Sequence, residues 1–255
     1  MIHPTAIIDS TAEIDPSVEI GPYSIIGANV CIGARTWVGP HVVMKGPTRI
    51  GEDNRIYQFC SLGEDPQDKK FHGEKTWLKI GDRNTIREYV TMNRGTEDRK
   101  ETCIGDDCLL MAYTHVAHDC LVGNHVIMAN AASIAGHVTV GEYAILGGFT
   151  IVHQFCRIGC HSFAAMGCQI TRDVPPCITV GGQPTRPRGV NIEGLKRRQF
   201  SSDDITDIRR AFKALYKQGH SLKKATALLA ERAQTSDVLV PFVDFLVGSE
   251  RSIIR

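Results

Sequence analysis

The sequence predicts an all-β chain for most of its length, wound as a solenoid of short parallel strands. Three observations carry this. An apolar residue returns every six positions from Ile8, Ile14, Ile20 and Ile26 onward to Ile170, in one phase broken only at Asp68, Glu74 and Asp98. A glycine often follows it, as at Gly21, Gly27, Gly33, Gly51, Gly81, Gly105 and Gly123. Two positions before it stands a small or β-branched residue, as at Ala6, Ala12, Val18, Ser24, Val30 and Thr36. A helix would repeat near 3.6 residues instead. Alternation over three residues gives a short strand with both ends inward. Strand and corner, repeated with three strands per turn, make a coil of about 18 residues in a solenoid.

Each element then has a reading. Glycine at the apex suits a tight corner. Cys60, Cys108, Cys120, Cys156 and Cys168 all fall on the small inward position, where cysteine packs as a small hydrophobe. That accounts for five of the nine cysteines without disulfides. Residues 63–79 and 93–103 interrupt the beat with charged sequence and read as loops pushed out of the coil, either functional or merely solvated. Outside the core, Leu109, Ile127, Ile145 and Phe163 recur at one coil's spacing. Four stacked apolar side chains pointing outward predict a subunit interface or a face covered by the C-terminal segment. Resemblance to hexapeptide-repeat proteins adds the section of a triangular prism, and a three-sided prism that associates along one edge suits a cyclic trimer.

Beyond Ile170 the segment RDVPPCITVGGQPTRPRGV reads as irregular linker. Helical periodicity follows. One helix begins after Ser202 and ends at Gly219, a second is capped by Ser221, and a third opens at Ser236 and bends near Pro241. The expected domains are therefore 1–186, the prism with its two loops, and 187–255, helical. Arg209, Arg210, Lys213 and Lys217 lie on the first helix, as an ordinary solvated face or as a docking surface for an acidic partner.

Composition narrows the class. A formal charge of +1 over 255 residues argues against a nucleic-acid binder. The start, MIHPTAIIDSTAEID, has no signal-peptide pattern. No apolar run approaches the roughly 20 residues of a membrane span. A cytoplasmic location is expected.

Chemistry concentrates where the coils stack histidines. Coil spacing sets Ala117–His118–Asp119 beside Ala135–Gly136–His137, and that beside His153–Gln154–Phe155. Three readings compete. A histidine oriented by a carboxylate is equipped as a general base, and the bare Gly136 N–H is suited to an oxyanion. Together they fit acyl transfer. His115, His118 and His137 offer three ligands to a metal, at a spacing that matches no recognised zinc pattern. Idle surface histidines are the third reading.

The segments HVAHDC, AGHV, VHQFCRIG and above all GVNIEGLKRR resemble the UDP-N-acetylglucosamine O-acyltransferase family of lipid A biosynthesis. The resemblance spans the chain. It implies a left-handed parallel β-helix of hexapeptide repeats with a C-terminal α-helical domain, assembled as a homotrimer with sites between subunits. It implies transfer of a β-hydroxyacyl group from acyl carrier protein to the glucosamine 3-hydroxyl of UDP-N-acetylglucosamine, with no metal or cofactor. His118 is then the base, Asp119 its orienter and Gly136 the oxyanion donor. His115, His137 and Gln154 line the sugar and acyl sites, and Asn191, Glu193, Arg197 and Arg198 bind the nucleotide. Asp68 and Lys70 reach toward substrate from a neighbouring subunit, and Met166 closes the acyl groove. The family usually has histidine near Asn93, which hydrogen-bonds but does not titrate. A related N-acyltransferase carries an extra N-terminal domain, for which a beat starting at Ile8 leaves no room. A purely structural trimer is the non-enzymatic alternative.

Overall fold

The computed structural model describes residues 1–255. Three sheets form the sides of the prism, with nine, eight and ten strands. The first face begins at Ile7–Ile8, the second at Glu13–Ile14 and the third at Glu19–Ile20. Each strand pairs in parallel with its equivalent one coil away, as Ile127 with Ile145 and Ile145 with Phe163. The beat residues fill the interior: Ile26, Met44, Met92, Val116 and Ile134 are all buried. So are the five inward cysteines.

Small polar residues share that inward position, several of them hydrogen-bonded, while the buried hydroxyls of Thr114 and Ser162 have no partner. Ser24 Oγ donates to Gly39 O at 2.8 Å, and Thr36 Oγ1 to Gly51 O at 2.9 Å. A thiol does the same when Cys120 Sγ meets Ala135 O at 3.1 Å. At these levels serine, threonine or cysteine fits because each reaches a carbonyl at the next corner.

The glycines act differently from the expectation. At Gly21 and Gly33 the backbone has no left-handed φ. A Cβ on Gly33 would lie 2.7 Å from the backbone of Gly51 in the next coil, and one on Gly21 would lie 2.7 Å from Pro40 N. Glycine is needed for close approach between coils. The left-handed residue falls two positions later and is rarely glycine: Tyr23, Asn29, Asp53, Phe59, Tyr113 and Asp119 all have φ between 56° and 65°. Such a conformation costs about 1–2 kcal/mol per residue. Stacking offsets it. Tyr23, His41, Phe59, Tyr89 and Tyr113 form a continuous ladder between the third and first faces, with ring centroids 4.7–5.3 Å apart. Aromatic pairs contribute about 0.5–1.5 kcal/mol each. Between the second and third faces, Arg35 pairs with Asp53 and Arg83 with Asp107, followed by stacked His125, Tyr143 and His161.

The outward stripe of Leu109, Ile127, Ile145 and Phe163 stacks as expected but is only half-buried. More fully exposed apolar groups lie on the adjacent corner, at Tyr23, Tyr113 and Phe149.

Both loops leave the prism at one corner, between the first and second faces. The first joins Ser61–Glu64 to Trp77–Ile80, and the second joins Thr91–Asn93 to Glu101–Ile104. They are tied together: Asn93 Nδ2 donates to Asp65 O at 2.8 Å, and the Arg94 guanidinium lies 5.4 Å above the Phe71 ring.

The segment read as linker is largely ordered strand. Ile178–Gly181 extends the third face beyond Phe163–Ala164, and Arg186–Val190 returns antiparallel to it, across the expected boundary at residue 187. Pro187 and Gly189 lie within the returning strand, opposite Val180 and Thr179, and the ladder shifts register there, as a bulge does. Four helices follow: α1 (Ile192–Arg197), α2 (Ser202–Tyr216), α3 (Leu222–Ala233) and α4 (Val240–Val247). The cap of α2 is Ser201, not Ser202, because Ser201 and Asp204 close a reciprocal capping box. Ser221 caps α3 as expected. Ser236 precedes a single 3₁₀ turn, with Pro241 in the first turn of α4. Arg209, Arg210, Lys213 and Lys217 are exposed on α2. The C-terminal tail folds back on the last coils, where Ile254 N donates to Asp173 O at 2.8 Å. No helix is long and apolar enough to cross a membrane.

Candidate active site

The corner that releases the two loops also carries the histidine column. Val116 pairs with Ile134 and Ile134 with Val152, so the three residues after each occupy successive levels of one edge. His118 Nδ1 and Asp119 Oδ2 are 2.8 Å apart. Asp119 is left-handed and its side chain is fully buried. It takes two further hydrogen bonds, from Thr96 Oγ1 at 2.7 Å and Thr96 N at 2.9 Å. Burial alone would raise its pKa. The bonds from His118 and Thr96 outweigh that and hold the carboxyl down at about 2. An ionised Asp119 fixes the proton on His118 Nδ1 and leaves Nε2 with its lone pair.

That Nε2 faces Gly136. A Cβ on Gly136 would lie 2.7 Å from Nε2 and 2.6 Å from Cε1, so any larger residue displaces the imidazole. No group in the chain accepts the Gly136 N–H. The His118 imidazole therefore packs against a glycine whose backbone N–H has no partner in the chain.

His137 meets His118 edge-on with centroids 5.2 Å apart and stacks on Phe155 at 4.4 Å. Burial lowers its pKa, although Asp119 at 3.6 Å opposes this. His115 bonds Thr91 Oγ1 at 2.8 Å, and burial together with His118 lowers its pKa too. Both remain neutral donors or acceptors near neutrality. Donor atoms of His118, Asp119 and His137 lie within 4.8 Å of one another. Asp119 is already engaged by Thr96 and His118, and its bond to His118 Nδ1 orients the imidazole with Nε2 free.

Gln154 is exposed on the level after Gly136, with its backbone carbonyl held by Arg251. The remaining expected residues lie elsewhere in the chain. Asp68 closes its own turn by accepting Lys70 N at 3.0 Å, and Lys70 is exposed. Asn191 caps α1 through Gly194 N and donates to His161 O at 2.9 Å, on the corner between the second and third faces. Arg198 lies 4.8 Å over the Tyr143 ring on that corner, while Glu193 and Arg197 are exposed. Met166 stands on the third corner and is 77% exposed. One chain thus gathers His115, His118, Asp119, Gly136, His137 and Gln154, and leaves the other seven apart.

Residues of the second loop were missed. Besides Thr96, Arg99 donates to Asp119 O at 3.1 Å, and Thr102 Oγ1 accepts Asp119 N at 2.8 Å. The available signal was position: that loop leaves the same corner one coil before His118.

Comparison with known proteins fixes the class. Domain 2 of UDP N-acetylglucosamine O-acyltransferases, as a family description, matches residues 173–254. The acyl-[acyl-carrier-protein]–UDP-N-acetylglucosamine O-acyltransferase of Xanthomonas axonopodis pv. citri is 51% identical over 257 residues, covering 100% of this chain and 98% of its own. The Francisella novicida UDP-N-acetylglucosamine acyltransferase structure superposes with a TM-score of 0.99 at 40% identity, over 100% of this chain and 94% of that one. The Moraxella catarrhalis UDP-N-acetylglucosamine O-acyltransferase gives 0.97 at 41% identity, over 100% and 99%. Fold and relatives together define a left-handed β-helix acyltransferase. With half its residues identical to a relative over its full length, the chain belongs to the UDP-N-acetylglucosamine O-acyltransferase family.

Proposed function

We propose that this chain transfers a β-hydroxyacyl group from acyl carrier protein to the glucosamine 3-hydroxyl of UDP-N-acetylglucosamine, the first step of lipid A biosynthesis. The observation that carries the reading is His118 Nε2, left free by the Asp119 bond and lying against Gly136, whose N–H has no partner in the chain. His118 takes the proton of the 3-hydroxyl as its oxygen attacks the thioester carbonyl. The tetrahedral oxyanion bonds the Gly136 N–H. Collapse expels the carrier thiolate, which recovers the proton from His118. His115, His137 and Gln154 orient the sugar and acyl groups. Asn191, Glu193, Arg197 and Arg198 hold the nucleotide, with arginine suited to phosphate. Asp68 and Lys70 contact substrate from the first loop.

These groups sit on different corners of one prism, which supports a homotrimer in which corners of neighbouring copies meet. Exposed Tyr23, Tyr113 and Phe149 support the same reading. The exposed cations of α2 suit an acidic carrier protein. The division near residue 187 and a cytoplasmic location belong to this reading, the latter supported by nine free thiols. No metal or cofactor takes part in this mechanism.

His118→Ala is expected to lose about 10²–10⁴-fold in kcat while remaining folded, and chelators are expected to leave the wild type active. A folded alanine variant with wild-type turnover contradicts the assignment. Sedimentation equilibrium is expected to read three chains per particle, and a monomer with full activity contradicts shared sites. Met166 fills the end of the acyl groove, so Met166→Gly is expected to raise kcat/KM for a longer donor relative to a shorter one. An unchanged ratio removes Met166 from chain-length selection.

A further inference from the structure

The mechanism above assigns no part to the second loop, yet that loop holds the carboxylate on which His118 depends. Thr96 meets both oxygens of Asp119, its N–H on Oδ1 at 2.9 Å and its hydroxyl on Oδ2 at 2.7 Å. The same Oδ2 faces His118 Nδ1. Asp119 is fully buried, so no bulk water stands ready to replace a lost donor. Thr96 is itself fixed. Its carbonyl accepts Lys100 N at 2.7 Å, and Gly95 N donates to Trp77 O at 3.1 Å. A Cβ on Gly95 would come within 2.3 Å of Glu101 N, so the loop passes close to the strand it rejoins. Arg94 then clamps this loop to the first one, pairing with Asp65 and covering Phe71.

We propose that Thr96 is a positioning residue of the acyl transfer, whose hydroxyl orients the Asp119 carboxylate and thereby the His118 imidazole. This rests on His118 being the base. A donor on Oδ2 also draws negative charge from the oxygen that faces His118. Removing it leaves Asp119 a stronger partner for protonated His118, and the base holds its proton to higher pH. The other charged or titratable groups around the dyad are His115, His137, Asp98 and Arg99. Of these residues only Asp98 meets the Thr96 hydroxyl, through its backbone N–H at 3.4 Å, so removing the hydroxyl leaves their side-chain contacts with the dyad in place.

The test compares Thr96→Val and Thr96→Ser with wild type in the full-length protein, by kcat as a function of pH, with His118→Ala as control. Valine keeps the shape and the backbone N–H and removes only the hydroxyl. The expected result is a fall of about ten- to a hundredfold in kcat for Thr96→Val, in keeping with small misplacements of a reacting group, with the acid limb of the profile moved to higher pH. Thr96→Ser is expected to restore both. Should the valine variant fail to fold, Thr96→Ala gives the same comparison. A folded variant without the hydroxyl whose acid limb stays in place overturns the inference, whatever its kcat, as does a serine variant that behaves like valine. Wild-type activity in His118→Ala would instead overturn the base assignment itself.

Discussion

Backbone hydrogen bonds such as Gly123 N to Val140 O, at 2.8 Å, hold successive coils at one strand spacing, about 4.8 Å. Everything else follows from keeping that separation constant around a closed three-sided path. Inside, it demands an unbroken column of apolar side chains on each face, because an inward charge has no solvent to reach. At the corners it brings backbone against backbone, and only glycine fits where Gly33 passes Gly51. Outside, it makes equivalent residues of neighbouring coils touch, so each corner becomes a ladder of aromatic rings or ion pairs. The ladders repay the left-handed corner conformation and stiffen the edge.

The active corner is one such ladder with its contents changed. Where other levels stack side chains of similar kind, this edge sets His118 against a glycine and His137 against Phe155. Gly136 makes room for the imidazole where a side chain would fill the space. The asymmetry seats the imidazole against bare backbone at a point where both neighbours belong to the coil, so their relative placement is set by the register with no flexible loop between them. Electrostatic order comes from outside the ladder. Thr96, Arg99 and Thr102 approach Asp119 from the inserted segment and fix its charge in a buried place.

Much of this was legible in the sequence because a solenoid turns a one-dimensional period into three-dimensional neighbours. The beat at Ile8 through Ile170 marks the interior, and coil arithmetic alone places His118 beside Gly136. What periodicity did not carry was not legible. The strand Ile178–Gly181 falls outside the beat and hides among prolines and glycines. The cap of α2 lies one residue earlier than expected because two adjacent serines compete and Asp204 decides between them. The role of the beat glycines was misread, since a sequence does not distinguish a glycine needed for φ from one needed for contact. Thr96 was missed for a similar reason: its loop has no repeat to register it against Asp119. The identities of Asn191, Arg198 and Met166 were noted from family likeness, but one chain places them on other corners, where stacking arithmetic does not join them to His118.

The central claim is that coil register alone brings His118 and Gly136 together. It is tested most directly by inserting a copy of residues 15–32, one full coil with no catalytic side chain, after Val122. The insertion preserves the phase of every face and sets the His118 level apart from the Gly136 level by one further strand spacing. Circular dichroism and thermal melting check that the β-helix persists, and the acyl-transfer rate is then measured against the same coil inserted after Ile14, far from the site. The expected result is loss of about two orders of magnitude or more for the insertion at Val122 and near-native turnover for the one at Ile14. A folded protein that transfers at the wild-type rate with a coil between His118 and Gly136 would contradict the account.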